Sequence, residues 1–146
     1  VVFVELDQMK AVNDRHGHQA GDTVLIELAR RLTEAVREVD VVARWGGDEF
    51  TLLLPKTALP GAVLLAEKIR VAVGTAAFRI DTGSLDITIS VGVAAYPEHG
   101  SAGKDLVAAA DAAMYRSKPG GRNRVEHAVV GDTERDRGDG DVGGTR

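Results

Sequence analysis

The sequence predicts an α+β fold in which helices cover a sheet with antiparallel pairing. Three observations predict it. Apolar runs of strand length alternate with longer stretches of helical periodicity. Two of the runs are joined through Gly46 and Gly47 with so short a link that only antiparallel pairing fits. The 146 residues, 44 % hydrophobic and 27 % charged, suffice for one domain with a sizeable core.

In chain order, Val1 to Leu6 is a β-branched apolar run and reads as a strand. The stretch DQMKAVNDRHGHQAGD is polar and punctuated by Asn13-Asp14, Gly17 and Gly21, so it reads as a turn region. From Asp22, a fitting N-cap, Val24, Leu25, Leu28, Leu32 and Val36 recur at helical spacing. Val41 to Ala43 and Phe50 to Leu54 form a hairpin that Pro55 ends. Leu59 to Val73 is a second amphipathic helix. Leu85 to Ala95 alternates Leu85, Ile87, Ile89, Val91 and Val93 on one face and reads as one long strand. Leu106 to Lys118 is an alanine-rich third helix, and NRVEHA is a candidate last strand. Residues 128–146, ending GDTERDRGDGDVGGTR, hold too few apolar side chains to order themselves and are expected to be a disordered tail.

The bulk numbers exclude several functions. A net charge of −4 gives no basic field for nucleic acid. The absence of cysteine removes disulfides, thiolate metal sites and thiol nucleophiles. No apolar run reaches the roughly 20 residues of a membrane span. A chain whose first residues already read as a buried strand is expected to be a fragment, with sensory or membrane segments upstream.

The chemistry concentrates in RWGGDEF, Arg44 to Phe50. By itself it is a hairpin turn with two solvated acids. The same glycines would let phosphates approach the backbone, and Asp48 would then be a hard oxygen ligand for Mg²⁺. Glu5 and Asp7 stand at the end of the first strand. Pairing of that strand beside the hairpin would bring Glu5 and Asp48 to one sheet edge, the arrangement of a phosphoryl-transfer metal site. Asn13 can present a paired donor and acceptor to a guanine edge, and Asp22 can accept from its N–H groups; a turn and an N-cap are their plainer explanations. Lys118 and Arg122 in KPGGR suit a triphosphate, although Lys118 also complements a helix C-terminus. His16 and His18 read as turn residues rather than ligands. Arg37 and Asp40 read as an i,i+3 surface ion pair.

The stretches ELDQMKAVNDRHGHQAGDTVL, RWGGDEF, ISVGVA and ADAAMYRSKPGGRNRV, in that order over residues 5–125, resemble the GGDEF family of diguanylate cyclases. The resemblance implies a palm-like fold of the nucleotide cyclase type, with the domain spanning residues 1–127. It implies condensation of two GTP molecules into cyclic di-GMP with release of two pyrophosphates. Two Mg²⁺ ions per GTP site, or Mn²⁺, would be the cofactors. By the same match Glu5, Asp48 and the Leu6 carbonyl are metal ligands, and Asn13 and Asp22 read guanine. Lys10, Lys118 and Arg122 attend the phosphates, Gly46 and Gly47 form the phosphate-side turn, and Glu49 is placed to activate the 3′-hydroxyl. Each domain would hold one GTP, so a homodimer would be the active species, in the cytoplasm, under control of an upstream sensory or regulatory domain.

The resemblance also gives Arg37 and Asp40 a second meaning. They form an RxxD pattern separated from GGDEF by Val41 to Trp45, the family's product-inhibition motif, at which cyclic di-GMP would bind with Lys68 as a secondary contact. Two departures stand out. The family usually carries Asp where this chain has Glu5, and its N-terminal D-x-L-T-x-L-x-N-R segment would precede Val1. These departures keep open a second reading, a binding module for GTP or cyclic di-GMP with weak turnover. A palm with a different nucleotide product is disfavoured by the intact signature.

Overall fold

The computed structural model describes residues 1–131, so most of the expected tail lies outside the described residues, while Ala128 at its start is buried with its N–H on the Val93 carbonyl. The elements run β1 (Val2–Leu6), α1 (Met9–His16), α2 (His18–Ala35), β2 (Val41–Gly46), β3 (Glu49–Leu53), α3 (Leu59–Thr75), β4 (Phe78–Ile80), β5 (Gly83–Leu85), β6 (Ile89–Val93), α4 (Gly103–Ser117) and β7 (Val125–His127). Five strands form the main sheet in the order β2-β3-β1-β6-β7. Every pairing in it is antiparallel except that of β6 with β7. The α+β class with a central, mostly antiparallel sheet flanked by helices is therefore the observed one.

Three layers result. On one face the buried side chains of α1, α2 and α3 (Met9, Val12, Val24, Leu28, Leu32, Ala66, Ile69, Val73) meet Val2, Val4, Leu6, Phe50 and Leu52 of the sheet. On the other face α4 lays Ala109, Ala110, Ala113 and Met114 against Phe3 and Ala94. The small residues of α4 are needed because the helix backbone comes very close. A Cβ at Gly92 of β6 would stand 1.9 Å from the Ala110 carbonyl oxygen and 2.4 Å from the Met114 nitrogen.

Three expectations are corrected. The polar stretch after β1 is not a turn region but holds α1 and the start of α2. Its few apolar residues, Met9 and Val12, fall three apart on one helical face and are buried, which outweighs the turn propensity of Asn13-Asp14. Gly17, at φ 87°, makes the break between the two helices. Asp22 consequently lies inside α2, and the N-cap is Gly17.

The expected strand from Leu85 to Ala95 is also two elements. Leu85 ends a hairpin, β4 with β5, that forms its own two-stranded sheet, and β6 begins only at Ile89. The strand β4 was not foreseen, because three residues are too few for a period to show. Finally, the hairpin turn is Gly47-Asp48 rather than Gly46-Gly47. A register shift between Arg44 and Gly46 extends β2 through Gly46. The remaining elements differ from expectation only at their ends, with α4 beginning at Gly103 and α3 reaching Thr75.

Candidate active site

The register of β1 builds the site. Glu5 sits directly opposite Glu49 of β3 and opposite Ser90 of β6. The Leu6 N–H donates to the Asp48 carbonyl oxygen at 3.1 Å, which locks the GGDEF turn beside the end of β1. Three carboxylates thus gather at one end of the inner strands. Like charges directly opposite in a sheet repel, and a cation lies close to this pair. Lys118, just past the end of α4, supplies that charge, with Nζ 3.0 Å from Glu5 Oε1.

Glu49 registers the crowding. Burial, then the charges of Glu5, Asp111 and Asp48, push its carboxyl above the usual range, and Lys118 only partly opposes them. Asp111 of α4 was not foreseen as a neighbour of the site; a position on a helix far along the chain carries no local signal of it. Among the described residues no group of three or more His, Cys, Asp or Glu forms a ready metal cage. Glu5, Asp48 and Glu49 are nevertheless hard oxygen donors, the ligand class that magnesium takes.

Beside the acids lies a cleft of ≈ 350 Å³. Lys10, Asn13, His18, Asp22, Arg44, Gly47 and Asp48 line it. Asn13 on α1 and Asp22 on α2 face it together because the two helices pack as a pair. The Asn13 Oδ1 is buried and has no hydrogen-bond partner, an unusual state for a side-chain carbonyl. Gly21 makes the space for it, since a Cβ there would stand 1.9 Å from that oxygen. Arg44 was not singled out from sequence. Its Nε and Nη2 donate to the Gly47 carbonyl at 3.0 and 2.7 Å and brace the turn.

The structure therefore brings together Glu5, Leu6, Asp48, Glu49 and Lys118 at the strand end, and Lys10, Asn13, Asp22 and Gly47 in the adjoining cleft. Gly46 ends β2 next to the turn. The exposed Arg122 lies in the segment after α4, with its N–H on the Ser117 carbonyl at 3.0 Å. His16 ends α1, and His18 lines the cleft.

Arg37 and Asp40 stand apart, at the other end of the β2–β3 hairpin. The length of β2, at about 3.3 Å per residue, separates them from the turn. They form the ion pair read from spacing, Arg37 Nη2 to Asp40 Oδ1 at 3.0 Å. Arg37 also donates to the Pro55 carbonyl and the Thr57 hydroxyl, each at 3.0 Å.

Comparison with known proteins identifies the family. The family described as "Diguanylate cyclase, GGDEF domain" matches residues 1–124. The chain belongs to the GGDEF diguanylate cyclase family. Diguanylate cyclase A of Treponema denticola is 39 % identical over 125 residues, which is 86 % of this chain and 34 % of that protein. The chain spans about a third or less of the length of such curated relatives. Among solved structures, the GGDEF domain of YfiN (TpbB) from Pseudomonas aeruginosa superposes with a TM-score of 0.83 at 39 % identity, over 88 % of this chain and 81 % of that one. The GGDEF domain of DgcB from Caulobacter crescentus, solved in complex with c-di-GMP, has a TM-score of 0.78 at 32 % identity, over 86 % of this chain and 75 % of that one. No helix among the described residues is long and apolar enough to cross a membrane.

Proposed function

We propose that this GGDEF domain is one half of a diguanylate cyclase, binding one GTP and condensing it with the GTP of a second copy into cyclic di-GMP. The observation that carries the reading is the meeting of Glu5, Asp48, Glu49 and Lys118 at one end of the inner strands beside the cleft of the orphaned Asn13 oxygen. Asn13 and Asp22 would hold the guanine edge, the Asn13 carboxamide turning from Gly21 toward the cleft to meet its N–H donors. Lys10, Lys118 and Arg122 would carry the phosphates, with Gly46 and Gly47 keeping the turn free of side chains.

Glu5, Asp48 and the Leu6 carbonyl would hold magnesium, two ions per site, with manganese as a substitute. Bound there, the metal supplies charge neutralisation at the phosphates and a lower pKa for the attacking hydroxyl. Glu49, its pKa pushed upward, suits a general base that takes the proton of the 3′-hydroxyl. The freed oxygen of one GTP forms the bond to the α-phosphorus of the other. The bond to the β-phosphate oxygen breaks, and pyrophosphate leaves with its electron pair. Two such steps close the ring. One site holds only one of the two reactants, so the catalytic unit is a homodimer with facing sites.

Arg37 and Asp40 are proposed as the inhibitory site for cyclic di-GMP, and a further regulatory domain and a cytoplasmic setting belong to the same proposal. Incubation of the domain with GTP and Mg²⁺, followed by chromatography, tests the main reading. Cyclic di-GMP and pyrophosphate are expected in a ratio of one to two; GTP bound but unchanged would sink it. One observation favours a second reading, a binding module with weak turnover. Glu5 is already engaged by Lys118 in the free chain. In that case GTP binds and turnover stays near background.

A further inference from the structure

Asp7 stands two residues beyond Glu5, just past the end of β1, and is 8 % exposed. Its carboxylate is fully engaged. Oδ1 accepts from the Ser90 hydroxyl at 2.6 Å. Oδ2 accepts from the Thr88 hydroxyl at 2.7 Å and from the Asn123 N–H at 3.0 Å. The Asp7 N–H in turn donates to the Thr88 carbonyl at 2.9 Å. Thr88 and Ser90 thus fix the carboxylate to the start of β6, and Asn123 hangs from it.

Asn123 belongs to the segment from Lys118 to Arg124, which carries the two cations of the site. That segment holds consecutive non-glycine residues in the left-handed region, Arg122 at φ 60° and Asn123 at φ 46°. Such backbone is costly and persists only where its surroundings determine it. Three other anchors help. The Arg122 N–H meets the Ser117 carbonyl, the Val91 N–H meets the Arg124 carbonyl at 3.0 Å, and Arg70 Nη1 donates to Asn123 Oδ1 at 2.9 Å. Of these anchors Asp7 is the one that follows directly on the strand of Glu5 and Leu6, while Val91 lies on β6 opposite Val4.

We infer that Asp7 is a positioning residue. By holding the Asn123 backbone, it sets the Lys118–Arg122 segment at a fixed distance from the acids of β1. The acid side and the cation side of the site are then aligned by one carboxylate that touches neither nucleotide nor metal. The inference rests on the reading of the site as a GTP site. It adds a specific consequence: disturbing Asp7 weakens the grip on the outer phosphates and leaves the guanine cleft, built by α1 and α2, intact.

Calorimetric titration of the chain with an α,β-methylene GTP analogue and with GMP, both with Mg²⁺, tests it. Asp7→Ala is expected to weaken binding of the GTP analogue by about tenfold, the scale of a charge-assisted hydrogen bond, with GMP within about twofold of wild type. Asp7→Asn is the milder variant. Its amide can turn its NH₂ toward the Ser90 oxygen and keep its own oxygen for Asn123, so it should fall between wild type and Asp7→Ala. Equal losses for the two nucleotides, or no loss in either variant, would overturn the positioning role. Failure of the wild-type chain to bind either nucleotide would instead overturn the GTP-site reading beneath it.

Discussion

Lys118 Nζ lies 3.0 Å from Glu5 Oε1, so the cation proposed for the triphosphate and the carboxylate proposed for magnesium are partners in the free chain. On the proposed reading, loading the site would exchange partners, Glu5 turning to the metal and Lys118 to the phosphates. Glu5→Asp shortens the acid by one methylene, which weakens its reach to Lys118 and restores the residue usual in the family. Turnover at saturating GTP is expected to rise about tenfold, equivalent to roughly 1.4 kcal/mol off the barrier. Initial rates of pyrophosphate release over a magnesium series would show it. A slower Glu5→Asp enzyme would mean that the longer side chain is matched to this site.

Glu49 gives a prediction with a pH signature. Burial and the neighbouring acids raise its pKa in the folded chain. A raised carboxyl pKa favours folding fully below the ordinary carboxylate pKa. That contribution is lost as pH rises through the raised value, because the charged form is penalised only in the fold. Glu49→Gln removes the penalty. Its melting temperature should exceed that of wild type at pH 7, and the difference should vanish in acid below the carboxylate range. Catalysis should fall by about 10²-fold or more, as for loss of a general base.

Arg37 bears on the proposed inhibitory site. It holds Asp40, whose side chain is only 1 % exposed, and keeps that carboxyl below its usual range chiefly through their hydrogen bonds. Arg37→Ala should abolish inhibition by cyclic di-GMP that excess GTP does not relieve. It should also lower the melting temperature slightly near neutral pH. The Asp40 contribution exists above the ordinary carboxylate pKa and fades as pH falls. Wild-type and variant melting curves should therefore converge in acid. Unchanged product inhibition in the variant would refute the assignment.

Gly92 tests the packing that supports the site from below. A Cβ there would meet backbone atoms of α4, which cannot rotate away. Gly92→Ala should cost about 3 kcal/mol, at the upper end of overpacking, and lower the melting temperature by roughly 10 °C. Because Lys118 follows α4 directly, displacement of that helix should also weaken binding of the GTP analogue. A variant that melts with wild type would show that β6 and α4 part without strain.

Much of this was legible in the sequence, and the reasons for the rest are physical. The strands β1, β3 and β6 declare themselves because their apolar residues must be buried, and the GGDEF turn because glycines at a hairpin are hard to hide. The helix α1 was missed because a short surface helix with two core contacts, Met9 and Val12, shows almost no period. The division of Leu85–Ala95 was missed because Leu85 and Ile89 belong to different sheets yet keep one alternation. At the site, Glu5 and Asp48 were expected to meet if the first strand paired beside the hairpin, and the antiparallel register pairs those strands; Lys118 arrives instead from the end of α4. The pairing of Lys118 with Glu5, the brace from Arg44 and the clamp at Asp7 depend on which donors a fold happens to bring near. Spacing along the chain does not encode that.

Gly21 offers the sharpest separation of binding from stability. It lies in α2, where alanine is ordinarily better than glycine by about 1 kcal/mol. Yet its missing side chain is the space occupied by the Asn13 Oδ1, and a Cβ would also stand 2.9 Å from the Met9 methyl. The Asn13 carboxamide is the end of a side chain and can swing aside, so Gly21→Ala should fold with a melting temperature within a few degrees of wild type. The carboxamide would then point away from the cleft that it lines with Asp22. GTP and GMP should both lose affinity by about tenfold to a hundredfold, since a missed hydrogen bond to a polar ligand edge is worth that much. This pattern is opposite to that expected at Asp7, where only the longer nucleotide suffers. Titration of both nucleotides against both variants separates the guanine end of the site from its phosphate end. Undiminished GMP binding by Gly21→Ala would remove Asn13 from the guanine-reading role.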